Sequence, residues 1–139
     1  MLRTRVVITG MGVVSPVGND VPSFWNSITS GVSGAAPISL FDASEFATKF
    51  ACEVKNFSTG DVLDPKEMRR FQRFTQFGLV ASHQALIDAG LLGESPPIPK
   101  ERIGVIIGSG IVGIQLLEEQ CRTYFEKGAR RISPFFVPM

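Results

Sequence analysis

Two kinds of apolar pattern alternate along the chain. Runs of branched apolar residues at 5–12 and 102–108 end in glycine-rich turns, which is typical of parallel strands buried on both faces. Elsewhere, apolar residues recur every three or four positions. That spacing predicts three helices, at 23–28, 65–89 and 114–125. The order of these elements predicts an α/β layered fold.

The long helix has the clearest boundary signals. Asp64 is a cap residue, Pro65 fits the first helical position and Glu67 completes a capping box, while Gly90 stops the pattern. The pattern also allows a break near 70–73. Five apolar residues at helical spacing are predicted to form its buried face: Met68, Phe71, Phe74, Phe77 and Ala81.

The remaining boundaries rest on single residues. Ser23 is predicted to cap the first helix and Gly31 to end it, and Gly128 is predicted to end the last helix. Residues 32–46 show no periodicity and predict an irregular segment. Weak alternation at 51–55 predicts a short strand.

Composition narrows the class of protein. The 139 residues suit about one domain, and a hydrophobic fraction of 44% with 19% charged residues predicts a packed core. A net charge of +1 argues against a general nucleic-acid or membrane-surface binder. No apolar run reaches the length of a membrane span, so we expect a cytoplasmic protein. The apolar run at 133–139 is untypical of an exposed terminus, and it predicts that the 139 residues are the N-terminal piece of a larger folded unit.

Three glycines match a nucleotide-binding pattern. Gly108, Gly110 and Gly113 have the spacing of a dinucleotide fingerprint after a predicted strand. Ribose binding needs an acidic residue at the end of a second strand about 20 residues later, which this sequence lacks. Tight packing of a strand on a helix is therefore the favoured interpretation of these glycines.

Basic residues cluster at the start of the long helix and again near residue 130. The first group pairs at i, i+4, and Arg130 and Arg131 form the second. Members of the first group are Lys66, Arg69, Arg70 and Arg73. Such a cluster is usually a solvated face. Cations at a helix N-terminus oppose the helix dipole, which favours a docking site for an acidic partner.

The sequence contains few residues suited to catalysis. His83 is the single histidine, and Cys52 and Cys121 are the two cysteines, too far apart for a typical metal site. Both cysteines fit a structural role, since neither lies at a predicted helix N-terminus that would favour a thiolate. His83 lies in the middle of a predicted helix and fits a partly exposed or core position. No acid–base pair of carboxylates stands out, and no metal site is predicted.

Several stretches, in this order and spacing, together resemble the β-ketoacyl-[acyl carrier protein] synthases, in particular the type II enzymes of bacterial fatty-acid synthesis. The resemblance spans the whole chain but about the first third of a family member. The matching stretches are VVITGMG (6–12), SPVG (15–18), FD (41–42), FATKFA (46–51), IGSGI (107–111) and RISPFFVP (131–138).

The resemblance implies a fold and a reaction. The fold is α/β and thiolase-like, with residues 1–139 forming the N-terminal part of the first βαβαβ half of a homodimeric enzyme. An acyl group is transferred to a cysteine and then condenses with malonyl-carrier protein, with decarboxylation. The resemblance places that cysteine and two assisting histidines beyond Met139, so this segment alone is expected to be inactive. No cofactor is implied.

The resemblance also assigns two groups of binding residues. Gly110, Ile111, Phe136 and Val137 correspond to the acyl pocket. The residues that correspond to the docking surface for acyl carrier protein are Lys66, Arg69, Arg70, Arg130 and Arg131. Three alternatives remain open: a non-catalytic paralogue of the chain-length-factor type, a polyketide condensing enzyme, and a dinucleotide-binding module.

Overall fold

The computed structural model describes residues 5–93, 97–111 and 113–136. Its α-helices are α1 (Val21–Thr29), α2 (Pro65–Met68), α3 (Arg73–Asp88) and α4 (Ile114–Lys127). Strands β1 (Ala36–Pro37) and β2 (Phe50–Ala51) pair antiparallel, with Ala36 opposite Ala51. Short 3₁₀ turns occupy Gly60–Val62, Lys100–Arg102 and Ala129–Arg131.

Backbone contacts divide the chain into two compact units. The first unit comprises the residues up to 58 together with 79–103, and it contains α1, the β1–β2 pair and the C-terminal part of α3. The second unit comprises residues 59–78 and those from 104 onward, with α2, the first turns of α3, and α4. The predicted binding residues that the structure describes fall in the second unit.

In the first unit, α3 holds the glycine-rich N-terminal segment with side-chain hydrogen bonds. Gln84 Oε1 accepts from the backbone N–H of Val13 at 3.0 Å, and its Nε2 donates to the carbonyl of Asn19 at 2.7 Å. One turn further on, Asp88 Oδ2 accepts from the N–H of Met11 at 2.9 Å. These bonds fix a segment that forms no regular structure. They join residues that are 65 to 77 positions apart in the chain, so sequence spacing does not predict them.

Gly10 and Gly12 lie directly against the α3 backbone. A Cβ at Gly12 would overlap the carbonyl oxygen of Ala81, and one at Gly10 would overlap that of Ala85. Glycine is required at both positions because a backbone carbonyl, unlike a flexible side chain, cannot move aside.

The cap of α1 differs from the prediction. Asp20, not Ser23, is the N-cap: its carboxylate accepts from the Ser23 N–H at 2.7 Å. The hydrogen bonds from the backbone and side chain of Ser23 lower the pKa of Asp20, because they stabilise the ionised carboxylate. The helix starts earlier because Pro22 is compatible with its first turn and Asp20 supplies the acceptor. Gly31 follows with φ +69°, consistent with its predicted stop role.

The predicted strand at 51–55 ends at Ala51, and the predicted irregular segment contains β1. Beyond Ala51, hydrogen bonds to a side-chain carboxylate take the place of backbone hydrogen bonds between the two strands. Glu53 accepts from Ser39 Oγ at 2.5 Å, from the Ser39 N–H at 3.1 Å and from the Leu40 N–H at 3.3 Å. These bonds, led by the Ser39 hydroxyl, lower the pKa of Glu53.

The prediction of buried strands at 5–12 and 102–108 is wrong within the described residues. Val6 is 92% exposed and Ile106 is 99% exposed, and neither segment has a strand assignment. A strand forms only when a neighbour accepts and donates its backbone hydrogen bonds, and no described segment does this for either run. The apolar side chains that belong in a sheet consequently face solvent here.

The packed core that composition predicted is small for the same reason. Its buried apolar residues among those described are Ala43, Leu63 and Val80. The predicted buried face of the long helix is half-buried at its aromatic positions, and Met68 is 39% exposed. Without the two predicted strands against it, that face meets few partners.

Local predictions for the later helices are confirmed. The long helical pattern is broken between α2 and α3, as the sequence allowed near 70–73. Gly90 follows α3 with φ +66°, and Gly128 ends α4 with φ +81°, both in conformations that favour glycine. Among the described helices, none combines the length and the apolar composition that a membrane span requires.

Candidate functional site

The basic surface begins on α2. Hydrogen bonds at the N-terminus of this helix stabilise it. Asp64 Oδ1 accepts from the N–H groups of Lys66 and Glu67, each at 2.7 Å, and Glu67 Oε2 accepts from the Asp64 N–H at 3.1 Å. This is the predicted capping box, with Pro65 in the first turn. A four-residue helix depends on such bonds because most of its N–H groups have no intrahelical acceptor.

Replacing the cap tests this dependence. Asp64→Ala removes both bonds to the first turn and is expected to lower the free energy of unfolding by about 1 kcal/mol. Asp64→Asn keeps a side-chain acceptor and is the matched control, with a much smaller expected loss. Denaturant unfolding of the two variants measures the difference. Equal losses would contradict the importance of the cap.

The basic residues at this end do not share one helix, contrary to the i, i+4 prediction. The helix α2 stops at Met68, Arg69 is its C-cap and Arg70 lies beyond it. Arg73 starts α3 and places its guanidinium 5.1 Å from the centre of the Phe77 ring. The i, i+4 geometry fails because the backbone leaves the helix between these residues.

The two groups of predicted docking residues lie in the same compact unit. All five side chains are exposed, and within the described residues none of them forms an ion pair: Lys66, Arg69, Arg70, Arg130 and Arg131. Arg130 and Arg131 belong to the 3₁₀ turn that follows α4. By contrast, Arg122 is paired with Glu118 at 2.9 Å along α4. The unpaired cations are available to an external anion.

The Gly-Ser-Gly turn presents an open surface before α4. Gly110 and Ile111 form an exposed bend, and Ile111 is 70% exposed. No described atom lies within 4 Å of a Cβ placed on Gly108 or Gly110, so the predicted tight packing of strand on helix is wrong at these two positions. Gly113 is the N-cap of α4, with φ +62°, a conformation that favours glycine, and a Cβ placed on it would lie 3.3 Å from Gln72 Oε1.

Phe136 lines an apolar cavity of about 280 Å³ beside α4. Its walls come from α4 and from the segment after it: Leu117, Gln120, Cys121, Tyr124, Phe125 and Ile132. The N–H of Ser133 donates to Gln120 Oε1 at 2.7 Å and anchors that segment. Gly110 and Ile111 are not among its walls. Val137, the fourth predicted pocket residue, lies outside the described residues.

The residues that sequence analysis set aside are dispersed. Cys52 follows β2 and is exposed, Cys121 is exposed in the middle of α4, and His83 is in the middle of α3. In the described part of the chain, no three histidine, cysteine or acidic side chains come together as a metal site.

The geometry thus combines an unpaired basic surface with a small-residue turn that follows an apolar segment. A family model described as "Beta-ketoacyl synthase, N-terminal domain" matches residues 3–139. The chain belongs to this family.

Individual relatives narrow the similarity. The chain is 47% identical, over 136 residues, to 3-oxoacyl-[acyl-carrier-protein] synthase 2 of Staphylococcus aureus (strain COL), covering 97% of this chain and 32% of that protein. It therefore spans about a third of the length of the curated relatives that it matches.

Solved structures agree on the fold. A β-ketoacyl synthase from Burkholderia phymatum STM815 matches with a TM-score of 0.75 and 25% identity, covering 96% of this chain and 33% of that one. The complex AntDE:AntF, a type II PKS acyl-carrier protein with its ketosynthase bound to the hexaketide, matches with a TM-score of 0.73 and 22% identity, covering 97% and 34%. The chain is part of a thiolase-like α/β fold, as predicted, although few of its strands form within it.

Proposed function

We propose that the chain is the N-terminal part of a β-ketoacyl-[acyl carrier protein] synthase that elongates fatty acids. The observation that carries this proposal is the identity of 46–47% with 3-oxoacyl-[acyl-carrier-protein] synthase 2 over nearly the whole chain. Identity with the polyketide ketosynthase complex is 22%, so the fatty-acid reaction is the better supported of the two. Residues 1–139 are then the first segment of the synthase's N-terminal domain.

The proposed reaction has two stages. A cysteine thiolate outside this segment attacks the acyl thioester, and the carrier thiol leaves. The malonyl thioester then loses CO₂, and the carbanion formed at its α-carbon attacks the enzyme-bound acyl group, releasing the cysteine thiolate. This sequence supplies no nucleophile for either stage. Its contribution is to receive the carrier protein and to form part of the wall around the acyl chain.

The docking surface comprises the five basic residues Lys66, Arg69, Arg70, Arg130 and Arg131. Their exposure and their lack of ion pairs within the described chain support this assignment. In the AntDE:AntF structure, a related ketosynthase is bound to an acyl-carrier protein. Complementary charge would orient an acidic carrier and accelerate its encounter with the enzyme.

The acyl-chain wall comprises Gly110, Ile111, Phe136 and Val137. Open space at Gly110 and the exposed apolar side chain of Ile111 support a role for the turn in contacting a hydrocarbon chain. Phe136 lines an apolar cavity to which Ile111 does not contribute. This separation agrees with a homodimer in which Phe136 and Val137 contribute to the partner's pocket. A cytoplasmic location completes the proposal.

Acyl transfer to the complete protein tests the function. After incubation with an acyl-carrier thioester, intact mass spectrometry is expected to show one acyl group on a cysteine beyond residue 139. Addition of malonyl-carrier protein should discharge it as a chain two carbons longer. An adduct on Cys52 or Cys121 would overturn the proposal. A complete protein with no acyl adduct would instead indicate the non-catalytic paralogue, and binding of NAD(P) would indicate the dinucleotide-binding module.

A further inference from the structure

At the break between α2 and α3, several backbone carbonyls accept from no backbone N–H within the described chain, among them those of Met68 and Phe71. The N–H groups of Arg70 and Phe71 both donate to the carbonyl of Glu67, at 2.9 and 3.0 Å. The turn tightens around that one acceptor. Within the described chain, the carbonyls of Met68 and Phe71 consequently accept from no backbone N–H. Unsatisfied carbonyls at a helix end normally need a side chain or water as donor.

One side chain satisfies both carbonyls. Gln76 Nε2 donates to the Met68 carbonyl at 3.0 Å and to the Phe71 carbonyl at 2.9 Å. A primary amide has two N–H donors, so this group is fully used. The Gln76 backbone N–H donates to the carbonyl of Gln72 at 3.0 Å, which holds the residue in the first turn of α3. The amide therefore connects the rigid helix to both ends of the turn.

The two accepting carbonyls flank Arg69 and Arg70 in the sequence. Both arginines are exposed, and neither forms an ion pair among the described residues. Their backbone position consequently depends on the flanking bonds and not on their own side chains. If the turn moved freely, binding of a partner would have to order the backbone as well as two long side chains, and this would weaken the association.

We infer that Gln76 is a positioning residue for carrier docking: its amide clamps the turn that presents Arg69 and Arg70 to the acyl carrier protein. This inference rests on the proposed function. Gln76 itself is half-buried beneath the turn and is not required to touch the carrier. Its effect should therefore appear in the affinity for carrier-linked substrate and not in the chemical steps.

Gln76→Met in the complete synthase tests the inference, because methionine has a similar length and no N–H donor. The KM for acyl-carrier substrate is expected to rise about fivefold. A change of this size corresponds to the net contribution of roughly one hydrogen bond to the preorganisation of the turn. The kcat with saturating carrier and the turnover of a small acyl thioester should stay unchanged. Gln76→Leu, a second variant without the amide, should show the same pattern.

Gln115→Met is the matched control. Gln115 lies on α4, and its Nε2 donates to Glu119 Oε1 at 3.1 Å on an exposed face. The same substitution there should leave both substrates unaffected. Unchanged KM in the Gln76 variants, or equal losses with carrier and small thioester, would overturn the inference. If the Gln76 variants failed in this way but the double variant Arg69→Glu, Arg70→Glu still slowed turnover of the carrier-linked substrate selectively, the docking proposal would stand. If this charge reversal had no selective effect, the docking proposal itself would fail.

Discussion

Reversing the charges of Arg69 and Arg70 together is expected to lower kcat/KM for acyl-carrier substrate about 100-fold in the complete synthase. Both side chains are exposed and make no ion pair within the described residues, so their charge acts outward. Arg69→Glu and Arg70→Glu replace attraction for an acidic carrier by repulsion. The expected loss corresponds to about 2.7 kcal/mol of transition-state stabilisation. Steady-state kinetics with carrier-linked and small acyl thioesters measure it.

The small thioester separates docking from chemistry. It carries no acidic domain, so its turnover should stay within about twofold of the unmodified enzyme. Higher ionic strength should also reduce the difference between variant and unmodified enzyme, because exposed charges are screened. Lys100→Glu with Arg102→Glu is the matched control: it makes the same change in net charge on another exposed short turn. Similar slowing in that control, or equal slowing of both substrates, would remove the docking role.

The helices were predictable because their signals are local. Asp64 and Glu67 lie within one turn of each other, and the bonds they form follow from sequence spacing alone. Gly90 and Gly128 likewise act through their own backbone angles. The cap of α1 was misassigned because both Asp20 and Ser23 are good cap residues, and spacing alone could not choose between them.

The strands were not predictable in the same way. The segments at 5–12 and 102–108 have the composition of buried strands, yet no described segment pairs with either. Strand pairing is a non-local property. An apolar run is typical of a strand buried on both faces, but it does not identify the segment that pairs with that strand. Val6 and Ile106 are residue types of buried strands, and their exposure shows that no sheet covers them within the described residues.

The same distinction between local and non-local signals applies to the candidate site. The exposure of Arg69 and Arg70 could be predicted because they belong to a cluster of like charges, which repel one another and are stabilised by hydration. The role of Gln76 could not, because its acceptors exist only where the helix breaks and leaves carbonyls unpaired. A glutamine in a helical pattern gives no sign of this. The motif around Gly10 and Gly12 was identified by resemblance, and its physical reason is visible only against α3.

That reason leads to the largest expected effect on stability. Gly12→Ala places a Cβ onto the carbonyl oxygen of Ala81 and 2.8 Å from the Cβ of Gln84. Neither atom belongs to a flexible side-chain end, so the segment must move away from α3. The move would also strain the bond between the Val13 N–H and Gln84 Oε1. We expect a loss of about 3 kcal/mol in the free energy of unfolding, measured as a lower Tm and a lower denaturant midpoint.

Gly78→Ala is the informative control because it changes the same residue type within α3 itself. No described atom lies within 4 Å of a Cβ at Gly78, and the position is helical. Alanine there should raise stability by about 0.5–1 kcal/mol, since a glycine inside a helix loses more conformational entropy on folding. Opposite signs for the two substitutions would show that close approach to α3, not glycine flexibility, determines the residue at position 12. A Gly12→Ala protein as stable as the unmodified one would contradict the close packing of this segment on α3.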